Sequence, residues 1–312
     1  MREFKSRRSS PKFYIFILTF LIVFFILDSE FYLIDRCFEY IFRRADIILV
    51  PEIYDSTSDD LYMYTFDVGQ SESILLLYQG NSILIDSATV DYAYPLVQTL
   101  KKLGIKNLDY CIFTHPHYDH MGGSSAILRS FEPSKVYVTK YDYNSLKKWW
   151  FKVYQKTIAY TDTSPEILSK GDIIGINDLK LHVISPISNS YENLNDYSIG
   201  IKASLQDIDI LLLGDSEASA EHDLIESEYL LESEILKVSH HGSTTSSTQE
   251  FLAKVLPDYA IISVGKNNPY GHPKKSTLQK LSSIGAKIYR TDQNGTILII
   301  TDGKNINVQT NN

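Results

Sequence analysis

Short apolar runs separated by turn residues occupy most of the chain after residue 60. Such runs are typical of β-strands, whereas segments in which apolar residues recur every three or four positions are typical of helices. On this pattern we predict strands at 62–67, 73–78, 82–86, 109–113, 135–139, 180–184, 199–205, 208–213, 234–238, 259–264, 286–290 and 296–300. The helical pattern occupies about 92–103, 122–130, 144–155, 217–228, 247–255 and 275–284. Because strands and helices alternate without a second polar linker, we predict one α/β domain over residues 61–312.

A different pattern precedes this domain. Residues 13–27 read FYIFILTFLIVFFIL, without a charge, proline or glycine, and five basic residues precede them. This run is shorter than the roughly 20 residues of a straight transmembrane helix, although flanking residues and bilayer thinning accommodate such a shortfall. We predict a basic N-terminus and signal-anchor helix over 1–30, followed by a linker over 31–60. A cleaved signal peptide and a helix buried in a soluble domain are the alternatives.

The charges that flank the apolar run predict its orientation. Basic residues before the run place the amino terminus in the cytoplasm by the positive-inside rule. We therefore expect a membrane-anchored protein whose catalytic domain is extracellular, or a secreted protein if the run is cleaved.

Composition narrows the function classes. With 44% hydrophobic residues the chain has enough apolar material for a core. The formal net charge is −8, and because residues 1–12 contribute +4, the remainder carries −12. A body that acidic lacks the electrostatic footprint of a strong nonspecific nucleic-acid binder. Two cysteines exclude a disulfide framework, and the absence of GxGxxG and GKS or GKT motifs argues against nucleotide-binding folds.

The most informative motif is His115-Pro116-His117-Tyr118-Asp119-His120. Imidazole and carboxylate groups together suit zinc, manganese or iron. In an extended loop, His115 and His117 point to the same side and can bind one ion. Asp119 and His120, at the turn into a helix, can face a second ion about 4 Å away. Gly122 and Gly123 then allow the backbone to turn tightly into that helix.

Further candidates stand at the ends of predicted strands, where α/β sites are normally built. Asp215 follows an apolar strand and could bridge two cations, although Gly-Asp after a strand is also a common turn. His240 and His241 are adjacent and cannot both face the same way, so one is expected to be a ligand and the other a substrate contact or proton donor. Asp86 is a candidate to orient a ligand histidine, or is simply a turn cap.

Together these segments resemble the metallo-β-lactamase superfamily, and more narrowly the C-terminal hydrolase domain of the ComEC/Rec2 competence proteins. The motifs that carry the resemblance are Phe66–Gln70, Thr114–Gly123, Leu213–Asp215, Lys237–Ser243, Ser263–Pro273 and Thr291–Gly295. The resemblance implies an αββα sandwich and two divalent metal ions, Zn or Mn. It also implies a division of the ligands between them. His115 and His117 hold one ion, Asp119, His120 and His241 hold the second, and Asp215 lies between.

The chain departs from the family pattern at several points. The family usually reads Gly-Gln-Gly-Asp where Ser71 and Glu72 stand here, so we expect a locally different turn. Many superfamily members carry a third histidine on the first metal, where this chain has 195–198, Asn-Asp-Tyr-Ser. We interpret His182 as a strand residue and expect fewer protein ligands on the first metal. Competence proteins of this type also carry a multi-helix membrane channel, so we expect no DNA translocation by this chain alone.

The resemblance implies a phosphodiesterase that hydrolyses nucleic acid or a small phosphodiester with a metal-bound hydroxide. The residues expected in catalysis are Asp119, His240 and His272, and the expected substrate contacts are Asn267, Tyr270 and Ser243. Because the body is acidic, a phosphocholine or teichoic-acid ester remains an alternative substrate. A β-lactamase or lactonase is another hydrolase alternative, and a catalytically silent surface binding module is the alternative from a different class.

Overall fold

Two β-sheets dominate the part of the chain that the structure describes. The structure is a computed structural model, and it describes residues 47–52, 54, 55 and 57–312. The first sheet has the order β15-β14-β1-β2-β3-β4-β5-β6. Its strands are β1 (Leu61–Thr65), β2 (Ile74–Tyr78), β3 (Asn81–Ile85), β4 (Tyr110–Phe113), β5 (Lys135–Val138), β6 (Glu166–Ile167), β14 (Ile297–Thr301) and β15 (Ile306–Thr310).

The second sheet has the order β13-β12-β11-β10-β9-β8-β7. Its strands are β7 (Ile173–Ile176), β8 (Leu179–Ser185), β9 (Gly200–Leu205), β10 (Ile208–Leu212), β11 (Ile235–Lys237), β12 (Tyr259–Ile262) and β13 (Lys287–Arg290). Strands β10 to β13 pair in parallel, as do β3 to β6 in the first sheet. Parallel strands present their carboxyl ends at one edge, so the residues that follow them can meet there.

Helices cover the outer face of each sheet. Their bounds are α1 (Val90–Lys102), α2 (Tyr118–Met121), α3 (Ser124–Phe131), α4 (Trp149–Tyr160), α5 (Ala218–Ile225), α6 (Gln249–Val255), α7 (Lys275–Ser283) and α8 (Thr291–Asn294). One apolar cluster joins the first sheet to α1, α3 and α4, and another joins the second sheet to α5, α6 and α7. A third cluster lies between the sheets and includes Met63, Leu76, Leu181 and Ile210. The described residues therefore form the αββα sandwich that the resemblance predicts.

The core is aliphatic and well buried, which explains why the apolar runs predict the strands so directly. All five residues of β1 and of β2 are buried, because each strand packs against helices on one face and the other sheet on the opposite face. Burial of one such Leu or Ile side chain contributes roughly 1.5–3 kcal/mol.

Every predicted strand is present, with ends that differ by a few residues. The prediction missed β6, β7 and β15, which are short or carry polar residues at alternate positions. The helix predicted at 144–155 instead spans Trp149–Tyr160. A 3-10 turn, Tyr143–Ser145, precedes it, and the Asp142 side chain caps that turn by accepting from Asn144 N at 3.1 Å.

The predicted apolar helix and signal-anchor over 1–30 lie outside the described residues. Within the described part of the chain, no helix is both long and apolar enough to cross a bilayer. The end of the predicted linker 31–60 lies within the described residues and packs on the apolar cluster of the first sheet. Ile48 is buried there and its carbonyl accepts from Thr99 Oγ1 at 3.2 Å, while the Glu52 carbonyl accepts from Tyr64 Oη at 2.9 Å.

Candidate metal centre and active site

Four of the predicted ligands meet at one point of the sandwich. A ligand atom from each of Asp119, His120, Asp215 and His241 lies within 4.8 Å of the others. The first two are on α2, directly after β4, whereas Asp215 follows β10 and His241 follows β11. The cluster therefore joins the carboxyl-end loops of both sheets.

A glycine makes the first of these loops possible. Gly123 lies so close to the end of β3 that a Cβ atom there would be 2.3 Å from the Ser87 carbonyl oxygen. Its N–H donates to the Ala88 carbonyl at 2.9 Å. This approach fixes the start of α3 against β3 and holds α2, with Asp119 and His120, above the sheet edge.

Asp86 determines which nitrogen of His120 faces the cluster. Its Oδ2 lies 2.7 Å from His120 Nδ1, and its two oxygens also accept from Thr114 N at 2.8 Å and Thr114 Oγ1 at 2.7 Å. Because an ionised carboxylate can only accept, His120 Nδ1 carries the proton and Nε2 presents its lone pair to the cluster. Asp86 thus has the orienting role that its position after β3 suggested.

His241 is held in the same way by a backbone group. Its Nδ1 lies 2.8 Å from the Ser263 carbonyl oxygen, which can only accept, so Nδ1 carries the proton. The remaining nitrogen, Nε2, lies 3.4 Å from Asp119 Oδ2 and 3.8 Å from Asp215 Oδ2. Both α2 and the loop after β11 therefore direct at Asp215 the imidazole nitrogen that is left to bind a metal ion.

Several atoms of this cluster lack a hydrogen-bond partner. His120 Nε2, Asp215 Oδ1 and His241 Nε2 are buried and form no hydrogen bond with any residue that the structure describes. His120 Nε2 and Asp215 Oδ1 are 3.2 Å apart without the geometry of a hydrogen bond. Leaving one buried polar atom unpaired costs about 1–3 kcal/mol. Convergent imidazole and carboxylate atoms of this kind fit a divalent transition metal.

His115 and His117 lie beside this cluster. His115 Nε2 and His117 Nδ1 are 2.9 Å apart, and the His115 and His120 ring centroids are 4.3 Å apart. The hydroxyls of Thr114 and Ser198 each lie 3.2 Å from His115 Nδ1 and so direct its Nε2 toward His117. These two nitrogens can hold a second cation.

The charges of the cluster favour a bound cation. Burial lowers the pKa of His115 well below its usual value and also lowers that of His117, so both are neutral ligands at neutral pH. Burial also opposes protonation of His120, but Asp215 and Asp86 outweigh it and raise its pKa well above the usual value. Burial would raise the pKa of Asp215, yet His120 and His241 lower it well below the usual value. Where no metal is bound, protons on the histidines supply the positive charge that a metal ion replaces.

A second buried acidic group lies just behind these ligands. Glu72, Asp86 and His120 also bring ligand atoms within 4.8 Å of one another. However, the ammonium of Lys237, itself fully buried, forms an ion pair with Glu72 Oε2. The lysine thus supplies the positive charge at this position, and we do not assign a metal to it.

His240 stands at the mouth of the site. Its Nε2 is 3.9 Å from Asp215 Oδ2, and its Nδ1 is 3.0 Å from Glu217 Oε1. The His240 and His272 rings are 5.7 Å apart. Burial and the neighbouring His240 lower the pKa of His272 to about 4, so His272 is neutral at neutral pH.

An open cleft of about 820 Å³ leads to these ligands. Its walls include Trp149, which is 52% exposed, and Tyr270, which is 62% exposed. Tyr118 packs near Trp149 at a ring distance of 6.2 Å, and Tyr270 stacks on His272 at 5.8 Å. Lys148 also lines the cleft. Aromatic faces and a cationic side chain thus surround the metal ligands.

Two predicted substrate contacts do not line the cleft. Ser243 is buried, and its Oγ lies 3.0 Å from Thr245 Oγ1. Asn267 is exposed and adopts a left-handed conformation with φ +56°. Its neighbour Asn268 organises the loop instead, since Asn268 Nδ2 donates to the His272 carbonyl at 2.7 Å. Of the three predicted contacts, only Tyr270 is among the residues that line this cleft.

The structure accommodates Ser71 at the position where the family pattern has glycine. Ser71 does not adopt a left-handed conformation, whereas Gly69 does, with φ +64°. A serine therefore causes no backbone strain at position 71. The Ser71 hydroxyl donates to the Val68 carbonyl, which closes the turn.

The sequence profile of the Metallo-beta-lactamase superfamily matches residues 66–266, which include every ligand of the cluster. The chain belongs to the metallo-β-lactamase superfamily. It is a metal-dependent hydrolase of that superfamily, and the residues that could hold a metal ion include Asp119 and His120 on α2 and Asp215 after β10.

Within the superfamily, the chain is similar to competence proteins. It is 32% identical over 263 residues to ComE operon protein 3 of Bacillus subtilis (strain 168). This alignment covers 78% of this chain and 34% of that protein. It is 28% identical over 240 residues to Recombination protein 2 of Haemophilus influenzae, covering 75% of this chain and 28% of that protein. The chain therefore spans about a third of the length of these relatives.

Solved structures show the same fold at low sequence identity. CmlA, a diiron β-hydroxylase from Streptomyces venezuelae, matches with a TM-score of 0.51 at 12% identity, covering 75% of this chain and 53% of that chain. The metallo-β-lactamase fold protein YhfI from Bacillus subtilis matches with a TM-score of 0.51 at 10% identity, covering 78% of this chain and all of that chain. These likenesses concern the fold alone.

Three features of the superfamily site were missed by sequence reasoning. These are the carboxylate of Glu217 beside His240, the ion pair between Glu72 and Lys237, and the aromatic wall of the cleft, which is formed by Trp149 and Tyr270. Glu217 stands two residues after Asp215, and Lys237 is a charged residue in an apolar strand. The sequence alone shows both Glu217 and Lys237 as unusual residues. It does not show their partners, which lie far away in sequence or on another element.

Proposed function

We propose that this domain is a two-metal phosphodiesterase. The observation that carries the proposal is the convergence of His120 Nε2, Asp215 Oδ1 and His241 Nε2, which are buried and form no hydrogen bond with any described residue. The proposed ligands are His115 and His117 for one ion, Asp119, His120 and His241 for the other, and Asp215 for both. If bound, two divalent cations, Zn or Mn, would lower the pKa of a water molecule and would stabilise charge on the attacked phosphorus centre.

The residues of the chain perform the remaining steps. Asp86 and the Ser263 carbonyl keep His120 and His241 in the tautomer that a cation requires. His240 is placed to protonate the leaving oxygen. In its doubly protonated form it donates Nδ1–H to Glu217, and Nε2–H remains available to the substrate. His272, being neutral, is a hydrogen-bonding group rather than the proton donor.

The cleft favours a diester with a planar ring next to the scissile bond. Trp149 and Tyr270 offer exposed aromatic faces, and stacking of a base on such a face contributes about 1–3 kcal/mol. Lys148 is suited to a neighbouring phosphate. Because the rest of the body is acidic, we propose a single-stranded or short nucleic acid that enters this cleft, rather than a long duplex spread over the surface.

One observation favours a second candidate substrate. The same aromatic faces suit a quaternary ammonium group through cation–π attraction. A phosphocholine ester, including that of a choline-substituted teichoic acid, therefore remains the alternative substrate.

A substrate screen distinguishes these candidates. The protein reconstituted with Mn²⁺ or Zn²⁺ is assayed on single-stranded DNA, RNA, cyclic dinucleotides and phosphocholine esters, with Asp119→Ala/His120→Ala as the control. We expect cleavage of single-stranded nucleic acid that the double substitution abolishes. Cleavage that survives the double substitution would falsify the metal-dependent mechanism. Fewer than one transition metal per chain and no hydrolysis would indicate a silent binding module.

We further propose that the domain acts outside the cell membrane. The support is the basic residues before the apolar run at 13–27. Protease treatment of intact cells tests this placement, since an extracellular domain is digested and a cytoplasmic one is protected.

A further inference from the structure

Asn195 stands where many superfamily members carry a third histidine for the first metal. It lies on a 3-10 turn, Leu194–Tyr197, and lines the same cleft as His117 and Asp215. Its side chain is only 6% exposed. The residue is therefore buried in the wall of the cleft that leads to the proposed ligands, although it belongs to a separate loop between β8 and β9.

The orientation of its amide is fixed by a carboxylate. Asn195 Nδ2 donates to Glu217 Oε1 at 2.9 Å, and Glu217 can only accept. The amide oxygen must then point away from Glu217. That oxygen, Oδ1, is buried and forms no hydrogen bond with any residue that the structure describes.

An unpaired acceptor in this position limits what can bind to it. Phosphate oxygens are acceptors, so a phosphodiester gains nothing from an amide oxygen and is repelled by it. A cation is attracted to it, and amide carbonyl oxygens are ordinary ligands of Mn²⁺ and Mg²⁺. His117 lines the same cleft as Asn195, and its Nδ1 lies 2.9 Å from His115 Nε2, so these two histidines form a ligand pair that lacks a third member.

We propose that Asn195 Oδ1 is a protein ligand of the first metal ion, in the place of the third histidine. This inference rests on the two-metal function proposed above. Glu217 then has two roles, since one carboxylate positions both the amide of Asn195 and the imidazole of His240. Because a carbonyl oxygen replaces an imidazole nitrogen, the first site favours Mn²⁺ over Zn²⁺ more than a three-histidine site does.

Metal binding without substrate tests this assignment. Dissociation constants for both metal equivalents are measured by chelator competition, with Mn²⁺ and with Zn²⁺, on the full chain and three variants. Asn195→Ala removes the proposed ligand. Asn193→Ser is the matched control, because it removes the other amide that donates to Glu217, at 2.7 Å, and keeps an oxygen that can cap the same turn. Asn195→His supplies the superfamily ligand.

We expect Asn195→Ala to weaken one metal equivalent by at least about 10-fold and to leave the other close to wild type. Asn193→Ser should retain both equivalents. Asn195→His should restore the weaker equivalent and shift its preference toward Zn²⁺, a gain that misfolding cannot produce.

Two results would overturn the assignment. If Asn195→Ala binds both equivalents as wild type does, and changes only KM for substrate, then Asn195 contacts substrate and not a metal. If the wild-type chain binds a single equivalent, the two-metal function fails together with the assignment. The number of equivalents bound by wild type thus separates the two failures.

Discussion

At the scale of single residues, the site depends on acceptors that lie behind the ligands. Asp86 holds His120, and the Ser263 carbonyl holds His241. Each acceptor fixes a tautomer, and a ligand histidine with the wrong tautomer presents an N–H rather than a lone pair to the cation. Such outer partners typically change metal affinity or activity by about 10–100-fold.

Substitution of Asp86 by Asn should therefore impair metal binding. Three donors surround the carboxylate, and the amide group of Asn would place its own N–H against one of them. We expect metal affinity to fall about 10–100-fold. Asp109→Asn is the matched control, because Asp109 also follows a loop into β4 and accepts from Ser82 N at 2.8 Å, but lies away from the ligands. Equal losses of affinity in both variants would contradict the orienting role.

The exposed indole of Trp149 in the aromatic wall leads to a second prediction for a single residue. Trp149→Ala should raise KM for a single-stranded oligonucleotide about 5- to 150-fold, the equivalent of roughly 1–3 kcal/mol of stacking, while KM for a phosphodiester without a planar base changes little. Tyr160→Ala, at the far end of α4 and 72% exposed, is the control. If both substitutions have the same effect on KM, Trp149 does not contact the substrate.

At the scale of elements, the turn after β11 is unusual. His240 and His241 both adopt left-handed conformations, with φ +49° and +53°, and Gly242 follows at φ +80°. Left-handed conformations cost non-glycine residues roughly 1–2 kcal/mol each. The turn directs the two adjacent histidines differently, because His241 contacts the Ser263 carbonyl and Asp119 whereas His240 contacts Glu217.

Gly242→Ala should distort this turn. A Cβ atom there would lie 2.6 Å from Pro273 Cβ, in addition to the cost of the positive φ. Gly285→Ala is the control, since Gly285 has φ +85° and a Cβ atom there meets no described heavy atom within 4 Å. By chemical denaturation, Gly285→Ala should lose about 1–2 kcal/mol and Gly242→Ala clearly more, with weakened metal binding only in the latter. Equal losses would show that the contact with Pro273 is relaxed at little cost.

The apolar runs predicted the central strands because these are buried on both faces. Three of the four edge strands, β6, β7 and β15, were missed because they are not buried on both faces. Strand β7 alternates exposed and buried residues over only four positions, and Glu166–Ile167 has no buried residue. Helix α4 begins later than predicted because Lys147 and Lys148 precede its buried face, and the local pattern does not show where the chain turns from the cleft into the helix.

At the scale of the whole molecule, one buried ion pair connects the two halves of the sandwich. Glu72 precedes β2 in the first sheet, and Lys237 ends β11 in the second, three residues before His240. The Glu72 N–H also donates to the Asp119 carbonyl at 3.0 Å. The pair therefore links the ligands of α2 to the strand that carries His241.

Removing one partner leaves an unpaired buried charge. Glu72→Met or Lys237→Met should each lower the free energy of unfolding by about 3–5 kcal/mol. The double substitution Glu72→Met/Lys237→Met should be less destabilising than either, because no buried charge remains. Urea denaturation of the three variants checks this order. An additive loss in the double variant would mean that the two side chains do not interact.

The separation in sequence between interacting residues determines which parts of the site could be predicted. The ligands are close in sequence or stand directly after apolar strands, so motif and strand pattern locate them. The supporting contacts join residues far apart in the chain, as Glu72 and Lys237 do across 165 positions. Such pairs depend on how the two sheets face each other, which local patterns do not specify. Asn267 and Ser243 were assigned by motif alone, and neither is among the residues that line the cleft.

Metal titration of the metal-free protein, with hydrolysis of single-stranded DNA as the readout, tests the central claim most directly. We expect the chelated protein to be inactive and its activity to return in proportion to the second equivalent of Mn²⁺ or Zn²⁺. Asp215→Ala should bind less metal and show no recovery, because it removes the carboxylate shared by both ions. Full hydrolysis in the presence of chelator, or full recovery with a single equivalent, would contradict a two-metal phosphodiesterase.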